Sequence, residues 1–450
     1  MRWNEMTTQN DRSMRSVDFD PADAKATLAQ LPQSPAVFAL YGADERAEPY
    51  IGRTPNLRGR LERLLQPSAK HPRRLQLAGL VRRIEWQLTG SEFESLLLQL
   101  ELLQKVHGTK CLERMHLRYP AFVRYLGGNR YPRVVVTHRP SPREANWAHG
   151  PFASRAAAER YVDEALKLFL LRRCIEDLDP NPSHPGCVYS EMKMCLAPCY
   201  QGCTDERYAE EGAAVESFFA TRGESRLVKL RAERDAASAN LEFESAAALH
   251  AQVQKVEAVR ALAPDLVRPM SKLRAVILQE SASADKVAVF LFENGRLRGP
   301  EAFSTIGMRI QNEQSGSSSL FAQPMALEPV PESGVASPGS AKAARGVLEM
   351  RMETVLAKLE KQCEEPTATS RQGHIALLKR WYYRPEAKRS GEIFFPDAEE
   401  HWPVKAILRG VGRVAAKQVS EKPAAAKSVA ADRFPQDGRP VSLTLEDQET

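Results

Sequence analysis

Apolar positions come in short alternating runs near the N-terminus, in helical stripes through the centre, and in short runs again beyond residue 270. Ala36 to Phe38 and Tyr50 to Gly52 are two such runs joined by a charged segment, which reads as a β-hairpin. Before it, Pro21 to Leu31 has helical spacing that Pro32 and Pro35 stop, and residues 1 to about 20 are expected to be disordered. After the hairpin a helix begins in a stretch carrying Arg53, Asn56, Arg58 and Arg60. Gly52 is expected to let the backbone turn sharply and approach a phosphate. Ile84 to Thr89 alternates as a third strand, and Ser91 is placed to cap a helix through Glu94, Leu97, Leu98, Leu102 and Leu103. These elements predict a small mixed α/β domain over 30–112.

Tyr131 to Arg139 reads as a strand, and the text from Gly150 to Cys174 as a turn and an amphipathic helix, within a connecting region over 113–205. From Glu224 to Val259, apolar residues recur at Leu227, Leu230 and Ala237, then at Phe243, Ala246, Leu249, Val253 and Val256. That spacing predicts a helical hairpin over 222–262, turning at Asn240, which tolerates a left-handed backbone. A single narrow stripe on each helix buries too little to stand alone, so the stripe is expected to pack on another such pair. Beyond it, an α+β region over 270–310 and 341–413 has strands joined by a Glu293–Arg296 turn. Trp381, Tyr382 and Tyr383 read as core, since nothing basic is organised around them in sequence. Residues 311–340, rich in Ser, Gly and Pro, predict a flexible insertion, and 414–450 a disordered tail. The fold class is multi-domain α/β.

A chain of 450 residues with 43% apolar content has room for about three domains with sizeable cores. No apolar run approaches the ~18 residues of a membrane span, and the N-terminus lacks a signal-peptide core, so no membrane partner is expected and a cytoplasmic location is. The net charge of +6 is modest, but bases crowd between Arg53 and Arg83, opposed only by Glu62. Arg53, Arg58, Arg63, Arg73 and Arg74 are candidate phosphate contacts. Of seven cysteines, five lie between Cys174 and Cys203, and in a cytosolic chain this grouping points to metal. Cys174, Cys187, Cys195 and Cys199, spaced C-x12-C-x7-C-x3-C, are the candidate ligands.

The stretch from Ala36 to Arg60 resembles the GIY-YIG nuclease module: AVF stands at its first tripeptide, YIG matches its second, and NLRGR follows as N-L-R-x-R. The remaining text narrows the resemblance to the UvrC family of bacterial nucleotide excision repair nucleases. It implies phosphodiester hydrolysis in which tyrosines position or deprotonate water, an arginine stabilises phosphate charge, and a carboxylate holds a divalent ion. Tyr50 and Arg60 are kept. Phe38 retains the ring of the first tyrosine without its hydroxyl, and in ESLLLQLELL Gln99 stands where the family has its metal-binding acid. The lysine after YIG is Arg53, a helix aromatic is Leu64, and the terminal asparagine falls near Cys111.

A hard ion loses its charged ligand when the acid becomes an amide. Glu101, about 200° round the helix from Gln99, is not placed to replace it. The enzyme is therefore expected to be weak or inactive, slower by roughly a thousandfold or more, with Mg or Mn relevant only if the site works. An active metal-dependent endonuclease is the alternative. The four cysteines resemble the set that holds an iron–sulfur cluster in the family, and thiolates suit zinc equally. The phrase from Asn240 to Ala247 resembles the UVR motif by which UvrC meets UvrB, with Phe243 as anchor. DNA and a UvrB-like protein are thus the implied partners, and a UvrB-binding module that touches no DNA is a further alternative. The likeness stops before the family's RNase H-like and helix-hairpin-helix modules, so the second incision is expected to be absent.

Overall fold

In the computed structural model, which describes residues 14–44, 46–66, 77–138, 148–306, 308, 338–362 and 367–425, the first sheet is assembled from β1 (Arg15–Asp18), β2 (Ala36–Gly42), β3 (Tyr50–Thr54) and β4 (Val81–Leu88). Its order is β1-β4-β2-β3, antiparallel throughout. With it come helices α1 (Ala24–Ala29), α2 (Leu57–Leu65), α3 (Glu92–His107) and α4 (Cys111–Arg114). Successive side chains of a strand point to opposite faces. Ala36, Phe38 and Leu40 accordingly enter a core with Leu28, Leu57 and Leu61 of α1 and α2, while Val37 packs on Leu98 and Leu102 of α3. The domain starts earlier than residue 30, because β1 pairs with β4 and Phe19 is buried in the same core. The expected disorder therefore does not extend through Arg15–Asp18. Ser91 caps α3 as anticipated, its hydroxyl accepting from the Glu94 N–H at 3.1 Å.

A second sheet, ordered β6-β5-β7-β8, comprises β5 (Ala121–Tyr125), β6 (Val134–Thr137), β7 (Ala148–Phe152) and β8 (Arg268–Pro269). Helices α5 (Arg155–Leu166), α6 (Val188–Glu191), α7 (Asp205–Ala220), α8 (Glu224–Ala239) and α9 (Phe243–Ala261) accompany it. Helix α7 crosses the boundary expected at 205, and its Tyr208, Val215, Phe218 and Phe219 fill the core beneath the sheet. Helices α8 and α9 form the predicted hairpin, tied by Arg231 donating to Glu257 at 2.8 Å. Its left-handed residue is Leu241, at φ 62°, rather than Asn240, at φ −81°. The lower stripe does not await a second hairpin: Leu227, Leu230, Val253, Val256 and Val259 join the core of α5 and α7.

The third sheet, ordered β11-β10-β9-β12, is built from β9 (Ala275–Glu280), β10 (Lys286–Glu293), β11 (Arg296–Ser304) and β12 (Glu392–Phe394), with α10 (Pro338–Glu360), α11 (Ala368–Tyr382) and α12 (Val404–Ala425). The β10–β11 turn places Asn294 and Gly295 at φ 52° and 76°, as a two-residue hairpin turn requires. Val287, Val289 and Leu291 face α10 and α12, whereas Ala288, Phe290 and Phe292 face α3 and α11. Helix α3 therefore lies between two sheets. Leu98 and Leu102 meet the first, and Phe93, Leu96, Leu97, Leu100 and Leu103 meet the core shared with the third. Gly373 of α11 permits this approach, since a Cβ there would lie 2.9 Å from the Leu100 side chain.

Two C-terminal expectations change. Val414 and Ala415 are buried in α12, so the tail expected from 414 is helical as far as 425. The insertion expected at 311–340 overlaps the start of α10 at Pro338, and its earlier residues lie outside the described ones, as do 426–450. Trp381 is core, but a basic neighbour is organised around it: the Arg389 guanidinium lies over the Trp381 and Tyr382 rings, 5.7 and 5.3 Å from their centroids. Among the described residues, no helix is long and apolar enough to cross a membrane.

Candidate nucleic-acid site and cysteine pocket

The β2–β3 pairing sets Phe38 opposite Gly52 and Val37 opposite Arg53. This register decides which candidates share a face. Phe38 and Tyr50 point the same way, their ring centroids 6.2 Å apart, over the core of α1 and α2. Gly52 has no sharp turn to make, because it lies inside β3, and a Cβ there would sit 2.6 Å from the Phe38 Cζ. Its missing side chain is space for the Phe38 ring. Arg60 is half-buried on α2, whose first turn is capped by the Asn56 side chain accepting from the Gly59 N–H at 2.9 Å. Gln99 is half-buried on α3, on the other side of the sheet from α2. Among the described residues, no hydrogen bond or ion pair joins Tyr50, Arg60 and Gln99 to one another.

The expected phosphate contacts divide. Arg58 is structural, its Nε donating to the Leu31 carbonyl at 2.7 Å. Arg63 is exposed, with its Nε on the Gly59 carbonyl at 3.0 Å and the rest of its guanidinium facing solvent. Arg73 and Arg74 lie outside the described residues. Arg53 faces α3 and approaches Glu92 at 3.6 Å. Glu92 in turn accepts from both terminal nitrogens of Arg384, at 2.7 and 2.9 Å. These bonds hold the Glu92 carboxyl below the usual glutamate range, helped by the charges of Arg384, Arg53 and Arg380. Burial pushes the Arg53 pKa down from its ordinary value, opposed by Glu92 and reinforced by Arg380 and Arg384. Sequence reasoning missed Glu92 and Arg384, whose pairing spans 292 positions.

Cys174, Cys187, Cys195 and Cys199 line one small cavity with Arg172, Arg173, Leu178, Tyr189 and Pro198. Left-handed Ala197 and Gln201 fold the 195–203 segment back, and the Ala197 N–H donates to the Cys195 sulfur at 3.3 Å. Arg172 is buried, donating to the Tyr131 and Glu176 carbonyls and reaching the Cys174 sulfur at 3.5 Å. Burial, then the neighbouring sulfurs of Cys174, Cys199 and Cys187, pushes the Cys195 thiol up to about 11. Cys203 is not part of the lining. Among the described residues, no group of three or more His, Cys, Asp or Glu side chains is arranged to hold a metal ion. The donor set nonetheless fits a thiolate-bound group: four sulfurs share the cavity, and the half-buried Arg173 beside them leaves its buried Nε and Nη2 without a hydrogen-bond partner.

Residues 34–108 match the family described as the UvrC-like GIY-YIG domain, which sets the class of the hairpin, α2 and α3. Residues 121–218 match the UvrC/Cho excinuclease middle domain, a span that takes in the cysteine region and most of α7. The chain thus carries a UvrC-like GIY-YIG domain followed by a UvrC-type middle domain. It is 31% identical over 294 residues to the UvrABC system protein C of Aromatoleum aromaticum, covering 64% of this chain and 48% of that one. Against the protein of the same name from Alcanivorax borkumensis it is 29% identical over 287 residues, covering 64% and 46%. The chain thus spans about half the length of the curated relatives it matches. No solved structure matches it.

Proposed function

We propose that this protein is a DNA-binding factor of nucleotide excision repair, working in the cytoplasm, that meets a UvrB-like partner through the α8–α9 hairpin and cuts DNA weakly or not at all. The amide of Gln99 on α3, on the helix from which the related nucleases are expected to supply their metal-binding acid, carries this reading. Phe38 supports it, since its ring lies beside Tyr50 with no hydroxyl to handle a proton. Tyr50 and Arg60 then serve the fold and the grip on phosphate more than the chemistry. Cys174, Cys187, Cys195 and Cys199 would hold an iron–sulfur cluster or zinc, and such a group supplies cross-links between loop segments.

Nicking of lesion-bearing duplex in Mg²⁺ or Mn²⁺ tests the proposal. The chain is expected to cut slowly, and Gln99→Glu to raise the rate at least about tenfold, which is ~1.4 kcal/mol of barrier. Strong cutting by the unaltered chain, abolished in Arg60→Ala, would instead establish a working endonuclease.

A further inference from the structure

Two guanidiniums meet one carboxylate where the first domain touches the end of α11, within the electrostatic reach of a third guanidinium on that helix. Arg384 takes both oxygens of Glu92 in a forked pair at 2.7 and 2.9 Å, leaving Arg53 only a longer approach at 3.6 Å. A bidentate fork largely saturates a carboxylate. Arg53 is therefore incompletely neutralised, and its side chain is still 28% exposed. Arg380, on the last turn of α11, is exposed and acts electrostatically on both Arg53 and Glu92. Lys379 beside it is a further cation, disfavoured by burial and then by Arg118. Positive charge thus exceeds negative at a half-buried seam, which a polyanion would relieve. The seam runs along β3, the edge strand of its sheet.

We propose that Arg53, Arg380 and Arg384 form a phosphodiester-binding patch shared by the GIY-YIG-type domain and the C-terminal helix α11, with Glu92 as the positioning residue that aligns the guanidiniums. Nucleic acid is then held by two parts of the chain far apart in sequence, and the C-terminal region takes part in the grip. This rests on the reading that the protein binds nucleic acid.

The test is the binding of a short labelled duplex to the full chain across a potassium chloride series. Arg380 has no part in the Glu92 fork, so Arg380→Ala and Arg380→Glu are expected to leave the melting temperature unchanged. Arg380→Ala should reduce the slope of log affinity against log salt by about one, and Arg380→Glu should weaken binding further at every salt concentration. If the unaltered chain binds and Arg380→Glu matches it in affinity and slope, the patch is wrong while the nucleic-acid reading stands. If the unaltered chain does not bind duplex, both fall.

Discussion

Gly52 serves Phe38. The register places the two opposite each other, and the ring occupies the volume that any other residue at 52 would need. Phe38 is fully buried and hemmed in by Leu57 and Leu61, so it has little room to withdraw. Gly52→Ala is expected to destabilise the protein by about 1–3 kcal/mol through overpacking, read as a lower denaturant midpoint. Adding Phe38→Leu should recover part of that loss, because the two sites are in contact and their effects do not add. The text YIG located the strand correctly, but a glycine in sequence does not declare whether its space is for a turn, a ligand or a neighbouring ring. The faces were likewise hidden. Alternation puts Arg53 and Tyr50 on opposite sides, so residues three apart in the motif serve different surfaces.

At the scale of elements, α3 governs the packing. Its text, ESLLLQLELL, lacks a polar face, and a helix apolar all round is a buried one. What buries it was not legible, since β9, β10 and α11 follow roughly 170 to 280 positions later. The rings of Phe93 and Phe290 meet edge to face at 5.2 Å, and Trp381 meets Phe93 at 5.4 Å, so three separated segments share one cluster. Leu100→Ala should therefore cost about 2–5 kcal/mol, and fluorescence and circular dichroism should report the first and third sheets melting earlier together. Helix α7 escaped notice because its apolar residues are sparse and Gly212 interrupts them. That glycine is there because a Cβ would come within 2.9 Å of the Tyr125 hydroxyl oxygen. The β9–β11 strands were easier, since continuous runs such as VAVFLF fit a sheet covered on both faces.

For the whole molecule, the α8–α9 hairpin joins an inward base to an outward tip. Its lower valines complete the chain's own core, while Leu241 and Phe243 are 71% and 68% exposed at the turn. Phe243→Ala is thus expected to leave the melting temperature unchanged and to weaken association with a UvrB-like partner by tenfold or more, as loss of an aromatic anchor worth ~2 kcal/mol implies. Titration calorimetry or surface binding with that partner checks it. Four of the thiols grouped in sequence line one cavity, but Arg172 and Arg173, which crowd it with positive charge, carry no spacing signal.

The double burial of α3 has a practical corollary for dissection. Cutting after residue 112 would lift away the β9–β10 and α11 cover and bare Phe93, Leu96, Leu97, Leu100 and Leu103 as one oily strip. The nuclease-type module of this chain is therefore not a detachable cassette. Transplanting it intact calls for polar replacements along that strip, or for carrying the C-terminal sheet with it.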